Sequence, residues 1–69
     1  MSVTKYQIYL KTVELGSFTA AARALNFTQS GVSHAIGSLE EELGVTLFER
    51  GSRRIRLTPA GKTFYDRAL

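Results

Sequence analysis

Residues 29–44 read QSGVSHAIGSLEEELG, and within them Val32, Ile36, Leu39 and Leu43 recur at i, i+4, i+7 and i+11. That is the spacing of one helical face. At about 100° per residue, Ser30, Ser33, His34 and Gly37 fall on the opposite side, where side chains are short or planar and none is acidic. Such a helix buries one face and can lay the other against a second molecule. Thr28 precedes it as an N-cap, with a hydroxyl able to accept from an otherwise unpaired backbone N–H, and Gly44 follows as the residue best suited to a left-handed C′ position. The run Glu40, Glu41, Glu42 sits in the last turn, where the helix dipole disfavours each negative charge by about 0.3 kcal/mol or more. Two readings of that run stay open. It is either a solvated surface, or an acidic end kept in water while a polyanion meets the uncharged N-terminal half.

Upstream, Val3, Tyr6, Leu10 and Val13 follow i, i+3, i+7 and i+10, with Lys5, Lys11 and Glu14 elsewhere on the wheel. This predicts an amphipathic first helix over Met1 to Leu15, closed by Gly16. Ser17 then caps a second helix from Phe18 to about Leu25, in which Phe18, Ala22 and Leu25 share a face. Its alanines, Ala20, Ala21, Ala22 and Ala24, admit two explanations: close approach of a neighbouring helix, or helix propensity alone. Asn26, Phe27 and Thr28 form a connection of the length expected in a helix-turn-helix. Phe27, apolar within that turn, is expected to pack and so pin the angle between the helices.

Downstream of Gly44 the period becomes extended. Strands over Val45 to Arg50 and Arg53 to Leu57 are expected to flank Gly51-Ser52, a glycine-first hairpin signal. Closed there, the hairpin sets Arg50 opposite Arg53, Glu49 opposite Arg54 and Phe48 opposite Ile55. Leu47 breaks the alternation, which leaves a longer loop open. Thr58 and Pro59 then start a helix, as N-cap and first helical residue. Phe64, Tyr65 and Leu69 are either a surface awaiting a partner or packing against the first helix. The chain ends without a stop signal, so this last helix reads as cut short.

With 69 residues there is room for one small domain. No cysteine is present, which removes disulfides and thiolate metal sites. No stretch approaches the roughly 18 apolar residues of a membrane span, nor does the N-terminus resemble a leader. A cytoplasmic location without membrane contact is the expectation. Net charge is +3 and the pI about 9.7, but distribution says more than the total. Arg50, Arg53, Arg54 and Arg56 are crowded together, whereas Arg23 is the sole ionised side chain expected between Leu15 and Leu39. A basic cluster beside an uncharged helix face is an electrostatic footprint for nucleic acid.

Two adjacent helices followed by a basic hairpin make a winged helix-turn-helix. The expected fold is mainly α, with a three-helix core, a small two-stranded β wing and the start of a C-terminal linker helix. Through GSFTAAARAL (Gly16 to Leu25), TQSGVSHAIGSLEEELGVTLFER (Thr28 to Arg50) and RRIRLTPAG (Arg53 to Gly61), the chain resembles the N-terminal DNA-binding domain of LysR-type transcriptional regulators. The resemblance implies a DNA-binding domain over residues 1–58 and the beginning of a dimerisation helix over residues 59–69. It implies that Thr28 caps the recognition helix and contacts the DNA backbone, and that Gln29, Ser30, Ser33 and His34 lie where the family reads base edges. Arg53 and Arg54 match the wing arginines, and Arg50 a basic position beside them. Two positions depart from the pattern: the family usually has proline at Ser30 and often a longer basic or amide side chain near Gly37. These departures bear on which operator is read. No cofactor is implied for these residues, but a small-molecule effector is implied for the full-length protein. Full-length members bind interrupted inverted repeats in double-stranded DNA as dimers or tetramers, self-associating through the linker helix.

Chemistry supports roles beside that resemblance. Glutamine can pair bidentately with adenine, serine with either kind of base pair, and histidine can donate to guanine, each good contact giving about 1–3 kcal/mol of discrimination. Wing arginines meet phosphate or a narrow minor groove and add affinity with little sequence content. His34 lacks a second histidine or a cysteine for a metal site, and lacks both an orienting group and an oxyanion site for hydrolysis, so no enzyme is expected. Beside phosphates its imidazolium is favoured, so DNA affinity should rise as pH falls; His34→Gln should flatten that dependence between about pH 5.5 and 8. The rival reading is a winged-helix module for protein interaction or dimerisation without nucleic acid, whose binding would survive loss of Arg53 and Arg54. RNA is disfavoured because no aromatic stacking platform is present.

Overall fold

The computed structural model describes residues 4–49 and 55–68. Four helices follow in order: α1 (Lys5–Leu15), α2 (Phe18–Leu25), α3 (Gln29–Leu43) and α4 (Pro59–Ala68). The first three pack mutually, and α4 lies against α1.

Local chemistry accounts for the helix ends. α1 begins after Thr4, later than the expected start at Met1, because Thr4 and Gln7 form a reciprocal capping box. That Thr-x-x-Gln signal is present in the sequence. Ser17 and Thr28 cap α2 and α3, accepting from Ala20 N at 3.2 Å and Gly31 N at 3.0 Å. Thr58 does the same for α4, accepting from Gly61 N at 2.9 Å. At the end of α2, Asn26 takes φ 61°, and the Asn26 and Phe27 amides donate back to the Arg23 and Ala22 carbonyls. This double closure is a Schellman turn, and asparagine tolerates the left-handed conformation it needs. Gly44 ends α3 in the same way.

The core is Ile8, Tyr9, Ala21, Ala22, Val32, Ile36, Leu39, Leu47 and Phe48. Ala21 and Ala22 are buried where α2 meets its neighbours, so these two serve close approach, whereas Ala24 is exposed. On α1 the buried residues are Ile8, Tyr9 and Thr12, not the expected Tyr6 face. Tyr6 is 46% exposed, while Leu10 and Val13 flank the core. Thr12 is tolerated inside because its hydroxyl donates to the Ile8 carbonyl at 2.7 Å. The stripe on α1 is displaced because the helix is covered from two sides, by α2 and α3 and by α4. Its Tyr9 ring is the meeting point. Centroids of Phe48, Phe64 and Tyr65 lie 5.5, 5.3 and 6.3 Å away, and the Tyr9 hydroxyl donates to the Gly61 carbonyl at 2.6 Å. Of the two readings of Phe64 and Tyr65, packing on α1 therefore holds; Leu69 lies outside the described residues. Gly61 itself has no room for a side chain, since a Cβ would strike the Leu47 carbonyl.

Two further expectations fail on exposure. Leu43, the last residue of α3, is 36% exposed, although Glu40 in the same turn is buried and Glu42 meets Lys5 of α1 at 3.0 Å. Phe27 is 41% exposed rather than buried in its turn. The turn does not need it as a wedge, because the Schellman bonds at Asn26 and Phe27 already set the angle.

The expected wing strands are not formed among the described residues, where a single antiparallel bridge joins Phe48 to Leu57. Glu49 N donates to the Arg56 carbonyl at 2.8 Å and Thr58 N to the Leu47 carbonyl at 3.1 Å. Phe48 thus faces Leu57 instead of Ile55, and Glu49 faces Arg56 instead of Arg54. The register is held from the base, where Thr58 also donates its hydroxyl to the Thr46 carbonyl at 2.6 Å. The expected Arg50 to Arg53 pairing and the Gly51-Ser52 tip fall outside the described residues.

Candidate nucleic-acid interface

The interface is built on α3. Val32, Ile36 and Leu39 anchor it in the core, at 0%, 3% and 0% exposure, which fixes the rotation of the helix about its axis. Gln29, Ser30, Ser33 and His34 are all exposed, and Thr28 stands exposed at the N-terminus with its hydroxyl engaged as cap. Five of the eight residues expected at the site are therefore gathered on one end and one side of a single helix. The other three, Arg50, Arg53 and Arg54, lie outside the described residues.

No acidic residue occupies the first turn of α3, so the positive end of the helix dipole is left uncompensated on that side. The acidic run at the other end resolves into three different residues. Glu40 is buried, and its Oε2 accepts from the amides of Leu47 and Phe48 at 2.6 and 3.4 Å. It is an anchor for the base of the wing, so neither open reading of the run covers it. Glu42 is held by Lys5. Glu41 and Glu42 are both exposed and fit a solvated surface.

Sequence reasoning left Arg56 out of the expected site, although it belongs to the same basic cluster. It is exposed at the wing base, with Nε 3.9 Å from Glu49 Oε2. At that distance, with both side chains in water, the pair contributes little to stability and leaves the guanidinium available. Beside α3 runs an open groove of about 610 Å³, lined among others by His34, Gly37, Ser38, Glu41, Val45 and Thr46. Gly37 is thereby also part of this surface, on the side of α3 where its helical spacing from Ser33 and His34 puts it. Among the described residues no helix is long and apolar enough to cross a membrane.

Comparison with known proteins places this geometry. Residues 3–62 match the family model of bacterial regulatory helix-turn-helix proteins of the LysR family. An uncharacterised HTH-type transcriptional regulator of Sinorhizobium fredii, y4mQ, is 49% identical over 67 residues, covering 97% of this chain and 22% of the relative. The HTH-type transcriptional activator AaeR of Escherichia coli is 46% identical over 62 residues, 90% of this chain and 20% of that protein. The chain thus spans about a fifth of the length of the curated relatives it matches. Among solved structures, the BenM DBD in complex with benA site 1 DNA superimposes with a TM-score of 0.91 at 44% identity, over 99% of this chain and 76% of that one. These relatives are transcriptional regulators rather than enzymes. With its helix pair, its capped turn and the match over residues 3–62, this chain belongs to the LysR family of bacterial regulatory helix-turn-helix proteins.

Proposed function

We propose that this domain binds double-stranded DNA sequence-specifically as the DNA-binding part of a LysR-type transcriptional regulator. The N-terminal half of α3 enters the major groove. Gln29, Ser30, Ser33 and His34 face base edges, and Thr28 contacts the backbone. Arg50, Arg53 and Arg54 belong to a small two-stranded wing and meet phosphate or the minor groove. Residues 1–58 form the binding domain, and residues 59–69 begin a linker helix through which the full-length protein self-associates in the cytoplasm. The operator is then an interrupted inverted repeat, and a small-molecule effector acts through the rest of the protein. The observation that carries this reading is the α3 face itself: exposed, free of acid in its first turn and rotationally fixed by three core residues.

Fluorescence anisotropy with mixed-sequence duplex tests it. Six or more phosphate contacts should lower affinity by about 10³-fold or more between about 50 and 200 mM salt. Replacing Arg53 and Arg54 should weaken all DNA alike and flatten that slope. Absence of binding at the lowest salt, both by the chain alone and by a form joined to a dimerising coiled coil, would assign the fold to protein docking instead.

A further inference from the structure

Four of the five described glycines have a reason inside the molecule. Gly16 and Gly44 hold positive φ, a Cβ on Gly31 would press to 3.1 Å from the capping hydroxyl of Thr28, and one on Gly61 would strike the Leu47 carbonyl. Gly37 has none. It lies in the middle of α3, where a Cβ would meet no atom within 4 Å. Glycine in a helix interior destabilises relative to alanine. The domain is less stable for Gly37, and no contact within the molecule explains it.

We propose that Gly37 is a specificity-determining position of the DNA interface, where the missing side chain lets an uncharged base edge come against the backbone of α3. The inference rests on the DNA-binding reading above. Gly37 is four residues from Ser33 and three from His34, so it follows them on the same side of the helix, one turn further along, where it is half-buried. It also forms a common floor between two hollows. On one side is the groove of about 610 Å³ with His34, Ser38 and Glu41; on the other is a hollow of about 70 Å³ with Ser33, Phe18 and Glu49. Charge separates the two kinds of DNA group that could approach. On the His34 side the exposed Glu41 carboxylate would repel a phosphate while leaving a neutral base edge unopposed; on the other side the Glu49 carboxylate has Arg56 Nε 3.9 Å from its Oε2. Close approach of a ligand to helix backbone is a use that glycine alone serves. A methyl group at this position would hold the duplex off and loosen the contacts of Ser33 and His34 beside it.

The test is Gly37→Ala, compared with wild type on an operator selected by the wild type from a random duplex library and on mixed-sequence duplex. The variant should melt about 4–8 °C higher, because alanine favours the helix and nothing obstructs its Cβ. Its affinity for the selected operator should fall about tenfold, while affinity for mixed-sequence DNA stays within about twofold. An unchanged ratio between the two duplexes would overturn the inference, as would equal losses on both, which mark a backbone contact. A lower melting temperature would overturn it as well, by exposing an internal reason for the glycine. If neither the wild-type chain nor its form joined to a dimerising coiled coil binds duplex at about 50 mM salt, the DNA-binding reading falls and takes the inference with it; wild-type binding with an unaffected variant sinks the inference alone.

Discussion

Glu40 shows how much one residue can do in a domain of this size. Its neighbours Glu41 and Glu42 are exposed, yet its own side chain is turned inward beneath Leu47 and Phe48, whose amides it receives. A carboxylate accepting backbone N–H bonds makes stronger hydrogen bonds than a neutral group would. Removing it leaves a buried amide without its acceptor, at a cost of about 1–3 kcal/mol. Glu40→Ala should therefore lower the melting temperature by roughly 5–15 °C, while Glu41→Ala should hardly change it; thermal unfolding followed by circular dichroism compares the two. Three successive glutamates look alike in the sequence, and only the segment folded back from Val45 onward distinguishes them.

At the level of elements, the helix-turn-helix is held by bonds that are almost all local. Asn26 closes α2, two residues separate it from Gln29, and Thr28 opens α3. Because the cap bond is made by the residue that sets the entry into α3, its loss should be felt by that helix first. Thr28→Val keeps the shape and removes the hydroxyl, which should destabilise the domain by about 1 kcal/mol; Thr28→Ser should restore most of it. Equal midpoints for the two variants in urea unfolding would contradict this. The wing behaves in the opposite way. Moving the pairing of Phe48 from Ile55 to Leu57 is a slip of two residues, which leaves each side chain on the same face of the hairpin. Alternation of apolar residues cannot distinguish registers that differ by two. The choice is made at the base, by the bonds from Thr58 to Leu47 and Thr46.

For the molecule as a whole, the decisive joint is the one between α1 and α4. Tyr9 is fully buried there, and its hydroxyl pKa is pushed up to about 12, first by burial and then by Tyr65 and Asp66. In the unfolded chain a tyrosine titrates near pH 10. Between about pH 10 and 12 the unfolded chain gives up this proton while the folded one keeps it, so the folded state binds more protons and stability falls as pH rises. The contribution is intact below about pH 10 and is lost at up to about 1.4 kcal/mol per pH unit across that window. Denaturant unfolding at a series of alkaline pH values should show this slope, and Tyr9→Phe should flatten it. An equal slope in both proteins would mean that other groups govern alkaline unfolding.

What the sequence determined by itself is what local chemistry determines. Ser17, Thr28 and Thr58 as caps, Gly16 and Gly44 as stops and the apolar spacing of α3 all act within a few residues, so the bounds of α2 and α3 and the exposed side of the recognition helix were legible without neighbours. The start of α1 was equally legible in Thr4 and Gln7. What only the tertiary structure decided depends on segments brought from afar. The buried face of α1 is set by α2 and α3 on one side and α4 on the other, the latter through a bond from Tyr9 to a residue 52 positions away. The burial of Glu40, the exposure of Phe27 and Leu43 and the register at the wing base likewise follow from which element arrives opposite each residue. Hydrophobic spacing states that a residue can be buried, and packing selects among the residues that can.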